Sequence, residues 1–149
     1  MRQGLQMAAA VTFLLAGSFS AYAETTAAGV WETIDDKSGA VRSTVTILES
    51  GGAFVGQVAS IMSRPGQPLN PVCEKCQGAK HNQPIKGLQI IEGMKRDGLS
   101  YSGGTILDPE TGGVYDATMT LAEDGRHLTV RGFVGISAFG RSQTWVRMR

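Results

Sequence analysis

Apolar residues occur in eight short runs along the chain, and residues typical of turns separate one run from the next. In chain order the runs read GVWETI, AVRSTVTILE, AFVGQVASIM, PIKGLQIIEGMK, LSYSGGTIL, GVYDATMTLA, RHLTVRGFVG and RSQTWVRM. None has the sustained apolar period of about 3.6 residues, bounded by caps, that is typical of an amphipathic helix. The pattern therefore predicts eight β-strands and an all-β fold.

Most connections between these runs have the composition of tight turns. Gly51-Gly52, Asp97-Gly98 and Asp124-Gly125 tolerate the positive φ angles of tight hairpins, and alternating runs flank them. Because such connections are too short for a crossover helix, neighbouring strands should pair antiparallel. Eight antiparallel strands in sequence order remove their edges most simply by closing into an up-and-down β-barrel. A two-sheet sandwich is the alternative, although its Greek-key links should be longer.

Apolar and polar residues alternate within the predicted strands, which assigns their side chains to two faces of a sheet. The second run has Val41, Val45 and Ile47 on one face. The sixth run shows the alternation best, with an apolar face made of Tyr115, Ala117, Met119 and Leu121. One face of the sheet should therefore line the barrel interior while the other meets water.

Residues 1–23 have the features of a cleaved export signal. Arg2 precedes a mostly apolar run at 7–17, and small residues up to Ala23 fit a cleavage site. We expect cleavage near Ala23, export to the periplasm or the medium, and one mature domain at 24–149. No later stretch approaches the roughly 20 apolar residues of a transmembrane helix, so the mature protein should not span a membrane.

The charge of the chain argues against a nucleic-acid partner. The 14 Lys and Arg residues face 13 Asp and Glu residues, which gives a net charge of +1 with His neutral. Removal of Arg2 with the export signal brings the mature net charge to zero. Since proteins that bind nucleic acids usually carry a strong basic excess, we expect no such partner.

The order of motifs resembles that of a family of exported bacterial proteins known as a domain of unknown function, DUF2147. The resemblance covers nearly the whole mature chain and rests on GVWETIDDKSG, CEKC, PIKGLQI, GGTILDPETGGVY, LTVRGFVG and GRSQTW. The family looks lipocalin-like in fold, so the resemblance implies the same eight-stranded barrel as the alternation does. It brings no established catalytic residues.

The GVW motif that opens the first run also resembles the Gly-x-Trp signature of lipocalins. That resemblance implies that arginines late in the chain pack across the tryptophan indole and close one end of the barrel. The residues that it assigns to this closure are Gly29, Trp31, Arg141 and Arg147.

Both cysteines, Cys73 and Cys76, lie in the longest connection, at about residues 62–84, which we call the insert. In an exported protein a disulfide is expected, because two cysteines three apart in a turn can reach bonding geometry. A metal site is the alternative, with Cys73, Cys76 and His81 as ligands and the distant His127 as a fourth. A redox centre is less favoured, since nearby Gly and Pro leave no room for a helix that would activate a thiolate.

The leading functional hypothesis is an envelope protein that binds a small apolar or amphiphilic ligand, because eight-stranded barrels can retain one small internal cavity. One alternative is a packed barrel that contacts an envelope protein partner through the insert, and another is an enzyme of unknown type. No nucleophile elbow or phosphate-binding loop is present, so we expect no enzyme and no cofactor. The aromatic residues expected to contact the ligand are Trp31, Phe54, Tyr101, Tyr115, Phe133 and Trp145.

Overall fold

The computed structural model describes residues 25–149, so the export signal predicted at 1–23 lies outside the described residues. Two short 3₁₀ helices, Gly78–Lys80 and Ser137–Phe139, lie in connections, and no helix within 25–149 has the length and apolarity to cross a membrane. The remaining elements are the strands β1 (Gly29–Ile34), β2 (Val41–Ser50), β3 (Ala53–Ile61), β4 (Gln89–Asp97), β5 (Ser100–Leu107), β6 (Val114–Leu121), β7 (His127–Phe133) and β8 (Arg141–Arg147).

Each strand pairs antiparallel with its neighbour in sequence, and β8 returns to pair with β1. At this seam Trp31 lies opposite Arg147, and the Met148 N–H donates a hydrogen bond to the Val30 carbonyl oxygen at 2.9 Å. The sheet is therefore a closed eight-stranded up-and-down barrel. This confirms the predicted fold class, and the two-sheet sandwich is wrong.

The two ends of the barrel differ in the length of their connections. The turns β2–β3, β4–β5 and β6–β7 are tight, and Gly52, Gly98 and Gly125 in them have φ angles of 77°, 61° and 66°. Such φ angles favour glycine because it has no Cβ. We call this the closed end. The opposite, open end carries the long connections, which are residues 35–40, the insert with its continuation to residue 88, residues 108–113 and residues 134–140.

Side chains pack the barrel interior towards the closed end. The rings of Phe54 and Tyr101 meet edge to face with centroids 4.9 Å apart, and such pairs add specific geometry to apolar burial. The Tyr101 hydroxyl accepts a hydrogen bond from the Ala27 N–H at 2.8 Å, which ties the segment before β1 to this core. Other fully buried side chains include Val45, Ile47, Ile91, Met94, Met119, Leu121 and Leu128.

A β-bulge near the start of β2 changes the direction of one arginine. Thr33 lies opposite Ser43 and Ile34 lies opposite Val41, so Arg42 has no residue opposite it. A bulge of this kind re-aims a side chain. Arg42 consequently faces the open end, and Val41 is only half-buried rather than on the interior face that the alternation predicted.

Candidate ligand-binding site

A cavity of about 1010 Å³ lies at the open end of the barrel. Thr33, Ser43 and Gln143 contribute polar groups to its wall. A concave, largely apolar wall with a few polar groups is typical of small-molecule sites. The strands β3 to β8 supply the apolar part of the wall, with Ile61, Ile90, Leu107, Tyr115, Val130, Phe133 and Trp145.

The insert forms one side of this cavity. Its backbone is held to itself across the loop, because the Ile85 N–H donates to the Pro71 carbonyl oxygen at 3.0 Å and Val72 bridges to Pro84. The insert is therefore a folded wall of the site. The residues of the insert that line the cavity are Arg64, Gln67, Pro68, Asn70, Pro71, Val72, Glu74 and Lys75, and Ile85 in its continuation lines the cavity as well.

Cys73 and Cys76 form the expected disulfide, with an S–S distance of 2.00 Å and a Cα–Cα distance of 5.4 Å. Both residues are buried. Around them, the Cys73 N–H donates to Gln83 and the Asn82 N–H donates to Cys73, each at 2.8 Å to a carbonyl oxygen. The disulfide and these hydrogen bonds together fix the shape of the insert.

The alternative metal site is not assembled. Cys73 and Cys76 are bonded to each other, so neither offers a thiolate, and His81 Nδ1 lies 3.1 Å from the Cys76 carbonyl oxygen. His127 belongs to the closed end, where its Nδ1 lies 2.7 Å from Asp124. In the part of the chain that the structure describes, no group of three or more His, Cys, Asp or Glu side chains is arranged for a metal ion.

The insert rests on the connection between β5 and β6. The Pro109 carbonyl oxygen lies 3.4 Å from Cys73 Sγ, and a Cβ at Gly112 would collide with the Lys75 carbonyl group. Gly112 also has a φ of 72°, which a side chain would strain. Close backbone contact at Gly112 therefore sets the position of the insert beside the cavity.

Ion pairs surround the mouth of the cavity. Arg42 donates to Glu110 and lies 3.7 Å from Asp35. Hydrogen bonds donated by the backbone N–H and the hydroxyl of Ser38 lower the pKa of Asp35 from its ordinary value. Asp35 is consequently ionised at neutral pH, and the bulged Arg42 connects residues 35–40 with residues 108–113.

Arg141 belongs to this mouth as well. Its guanidinium donates to Asp36 at 2.7 Å, and that hydrogen bond raises the pKa of Arg141 above its already high value. The prediction that Arg141 helps to close the barrel is therefore wrong. β8 carries Arg141 and Arg147 at its two ends, about 20 Å apart at roughly 3.3 Å per residue, so the two cannot share one closure.

The closure itself consists of Trp31, Arg147 and the chain around Gly29. The Arg147 guanidinium carbon lies 4.3 Å from the centroid of the fully buried Trp31 ring, within the range of a cation–π contact. A side chain at Gly29 would collide with this guanidinium. Arg147 also donates to the carbonyl oxygens of Thr26, Ala28 and Gly125 at 2.6, 2.6 and 2.7 Å, which covers the closed end.

The six aromatic residues expected at the ligand separate into two groups. Tyr115, Phe133 and Trp145 line the cavity. Trp31, Phe54 and Tyr101 are buried in the packed half of the barrel and are not among the lining residues. Ligand contact thus stays a prediction for the first group, and the second group belongs to the core.

Several lining residues were not among those expected from the sequence. Gln143 alternates with Trp145 along β8, so the period of two in RSQTWVRM contains its signal. Arg42 gives no such signal, because its direction depends on the bulge. Arg64 lies in the insert, where no periodic pattern predicts which side chains face the barrel.

The fold and the site define a lipocalin-like barrel with one packed end and one open end. A similar solved structure is described as "Protein HP1028 from the human pathogen Helicobacter pylori belongs to the lipocalin family"; it has a TM-score of 0.72 and 19% sequence identity, and the match covers 85% of each chain. The chain belongs to the family described as "Uncharacterized protein conserved in bacteria (DUF2147)", whose model matches residues 29–147. Comparison with curated proteins gives no match.

Proposed function

We propose that the protein binds a small apolar or amphiphilic molecule in the cavity at the open end. The observation that carries this proposal is the cavity of about 1010 Å³, which has apolar side chains on its strand-borne wall and polar groups at its mouth, in a barrel packed at its other end. Small-molecule sites usually enclose roughly 300–1,000 Å³ and are lined mainly by apolar and aromatic groups. Burial of apolar ligand surface would supply the driving force, at about 25 cal/mol per Å² removed from water.

The proposed place of action is outside the cytoplasm, in the periplasm or the medium. The signal-like composition of residues 1–23 supports export. The Cys73–Cys76 disulfide supports it too, because disulfides persist mainly in oxidising compartments.

The proposed role is binding rather than catalysis. Thr33 and Ser43 carry aliphatic hydroxyl groups on the cavity wall, and these hydrogen-bond to each other with 2.7 Å between their oxygens. This pairing favours a structural role for them, since an activated nucleophile would be oriented towards a general base.

Contact quenching of tryptophan tests the proposal. Trp145 lines the cavity, so a brominated acyl chain that enters should quench its fluorescence in a saturable manner. A protein stripped of co-purified lipid should show this quenching, and its fluorescence should recover when an acyl chain without bromine competes. Quenching that rises linearly without saturation would mean only collision in solution and would count against the proposal.

A second candidate function is contact with an envelope protein through the loops of the open end. Leu69 in the insert is 83% exposed, and Phe139 in the β7–β8 connection is 81% exposed. Val134 and Ile136 in the same connection are also exposed. Clusters of exposed apolar side chains often mark interaction surfaces. The candidate surface is therefore wider than the insert that the sequence indicated.

The variant Phe139→Ser tests this candidate by protein cross-linking, which is measured without ligand because Phe139 also lines the cavity. If the loops contact a protein, Phe139→Ser should weaken cross-linking to that partner by about tenfold, since buried aromatic side chains dominate interfaces. Leu48→Ser removes another exposed apolar side chain, near the β2–β3 turn, and should leave cross-linking unchanged. Equal cross-linking by both variants and the unmodified protein would remove the second candidate.

A further inference from the structure

Three arginines line the cavity, and two of them have carboxylate partners within the chain. Arg42 pairs with Glu110 and Asp35, and Arg141 pairs with Asp36. These pairs join the loops of the open end to one another. The charges of Arg42 and Arg141 are largely balanced by neighbouring carboxylates, so a structural role explains why both arginines are present.

Arg64 has no such explanation. It is half-buried and lies in the first part of the insert, three residues after β3 ends. Within residues 25–149 no hydrogen bond or ion pair engages its guanidinium. Partial removal of an arginine from water without an anionic partner is unfavourable. A partner from outside the chain would offset that cost.

The carboxylates that line the same cavity are largely engaged. Asp108 accepts hydrogen bonds from the Glu110 N–H at 2.9 Å and the Thr111 hydroxyl at 3.0 Å, and Glu110 is held by Arg42. Glu74 is exposed on the insert, with Lys75 beside it in the sequence. Lys75 also lines the cavity but is exposed, and the half-buried Arg42 is paired. Among the described lining residues, Arg64 is therefore the half-buried cation that has no carboxylate partner and can meet an incoming anion.

Apolar side chains line the cavity further inward from its mouth. Ile61, Ile90 and Trp145 belong to the same cavity as Arg64 and come from strands of the barrel wall. One ligand can meet both environments if its polar end stays at the rim and its hydrocarbon enters the barrel. Guanidinium groups bind carboxylate and phosphate oxygens through paired hydrogen bonds, which fits an anionic polar end.

We propose that the ligand is a single-chain amphiphile with an anionic head group, and that Arg64 binds the head while the chain occupies the barrel. This inference rests on the proposed function, because it specifies the ligand of the same cavity. It adds that the charge of the head group determines which amphiphiles bind.

Calorimetric titration with dodecanoate, dodecan-1-ol and acetate tests the inference. Dodecanoate should bind at least about tenfold more tightly than dodecan-1-ol. Hydrogen bonds to a charged group are expected to give an affinity ratio of this size. Acetate has the same head without the chain and should bind more weakly than either. In Arg64→Gln the preference for dodecanoate should fall to within about twofold while dodecan-1-ol binding stays the same.

Arg141→Gln is the matched control, since it removes another arginine of the same rim whose guanidinium already has a partner. It should change dodecanoate binding by less than about twofold. Equal binding of dodecanoate and dodecan-1-ol to the unmodified protein, or a preference that survives in Arg64→Gln, would overturn the role of Arg64 and leave ligand binding intact. Failure of both chains to bind the unmodified protein would overturn the proposed function as well.

Discussion

Replacement of Arg147 by Ala is expected to lower the free energy of unfolding by about 3 kcal/mol. The guanidinium donates to three carbonyl oxygens at the closed end and covers the buried Trp31 ring. Alanine would leave those oxygens without this donor and would expose the indole to water. Chemical denaturation, followed by circular dichroism, measures the loss.

Two further variants make this result specific. Arg126→Ala removes an exposed arginine from the β6–β7 turn beside the same closure and should change stability by less than about 0.5 kcal/mol. Arg147→Lys keeps the charge without the planar guanidinium, so its stability should lie between those of Arg147→Ala and Arg126→Ala. If Arg147→Ala were as stable as Arg126→Ala, the contacts of Arg147 at the closed end would not stabilise the barrel.

Replacement of Gln143 by Trp is expected to weaken ligand binding by at least about tenfold, because the indole would occupy space that the ligand needs. Gln143 lies opposite Val130 on the barrel wall and lines the cavity. The barrel should remain folded, since the larger apolar side chain enters a cavity rather than a packed core. Titration with a fluorescently labelled acyl chain measures the change.

Thr144→Trp is the control for the Gln143 variant. Thr144 is the next residue on β8, and its side chain is exposed on the outer face. Thr144→Trp adds the same indole outside the barrel and should leave the ligand affinity within about twofold, since most surface substitutions have small effects. Equal affinities for the Gln143→Trp and Thr144→Trp proteins would mean that the ligand binds elsewhere.

The fold was largely predictable because its signals are local. Asp-Gly and Gly-Gly pairs marked the hairpins, and the alternation from Tyr115 to Leu121 identified the interior face of β6. Such patterns indicate the face that a residue occupies but not its depth along the barrel. Depth depends on long-range strand register. The alternation therefore could not separate the two buried tryptophans, Trp31 in the packed half and Trp145 on the cavity wall.

The charged part of the site was harder to predict for the same reason. Arg141 and Arg147 share one face of β8 and lie at its two ends, and only the pairing of β8 with β1 determines which of them lies opposite Trp31. Arg64 lies in a connection without periodicity, and its contribution to the cavity depends on how the insert packs against Gly112. Tertiary packing of loops thus determines the candidate chemistry, whereas local patterns determine the barrel.

Contact quenching of two single-tryptophan proteins is the most direct test of ligand binding at the open end. Trp31→Phe retains only Trp145, and Trp145→Phe retains only the buried Trp31, because the chain has 2 tryptophans. With a brominated acyl chain, the Trp145 protein should show strong, saturable quenching at one ligand per barrel, and the Trp31 protein should show little. Equal quenching of the two proteins, or no saturable quenching of Trp145, would contradict the account.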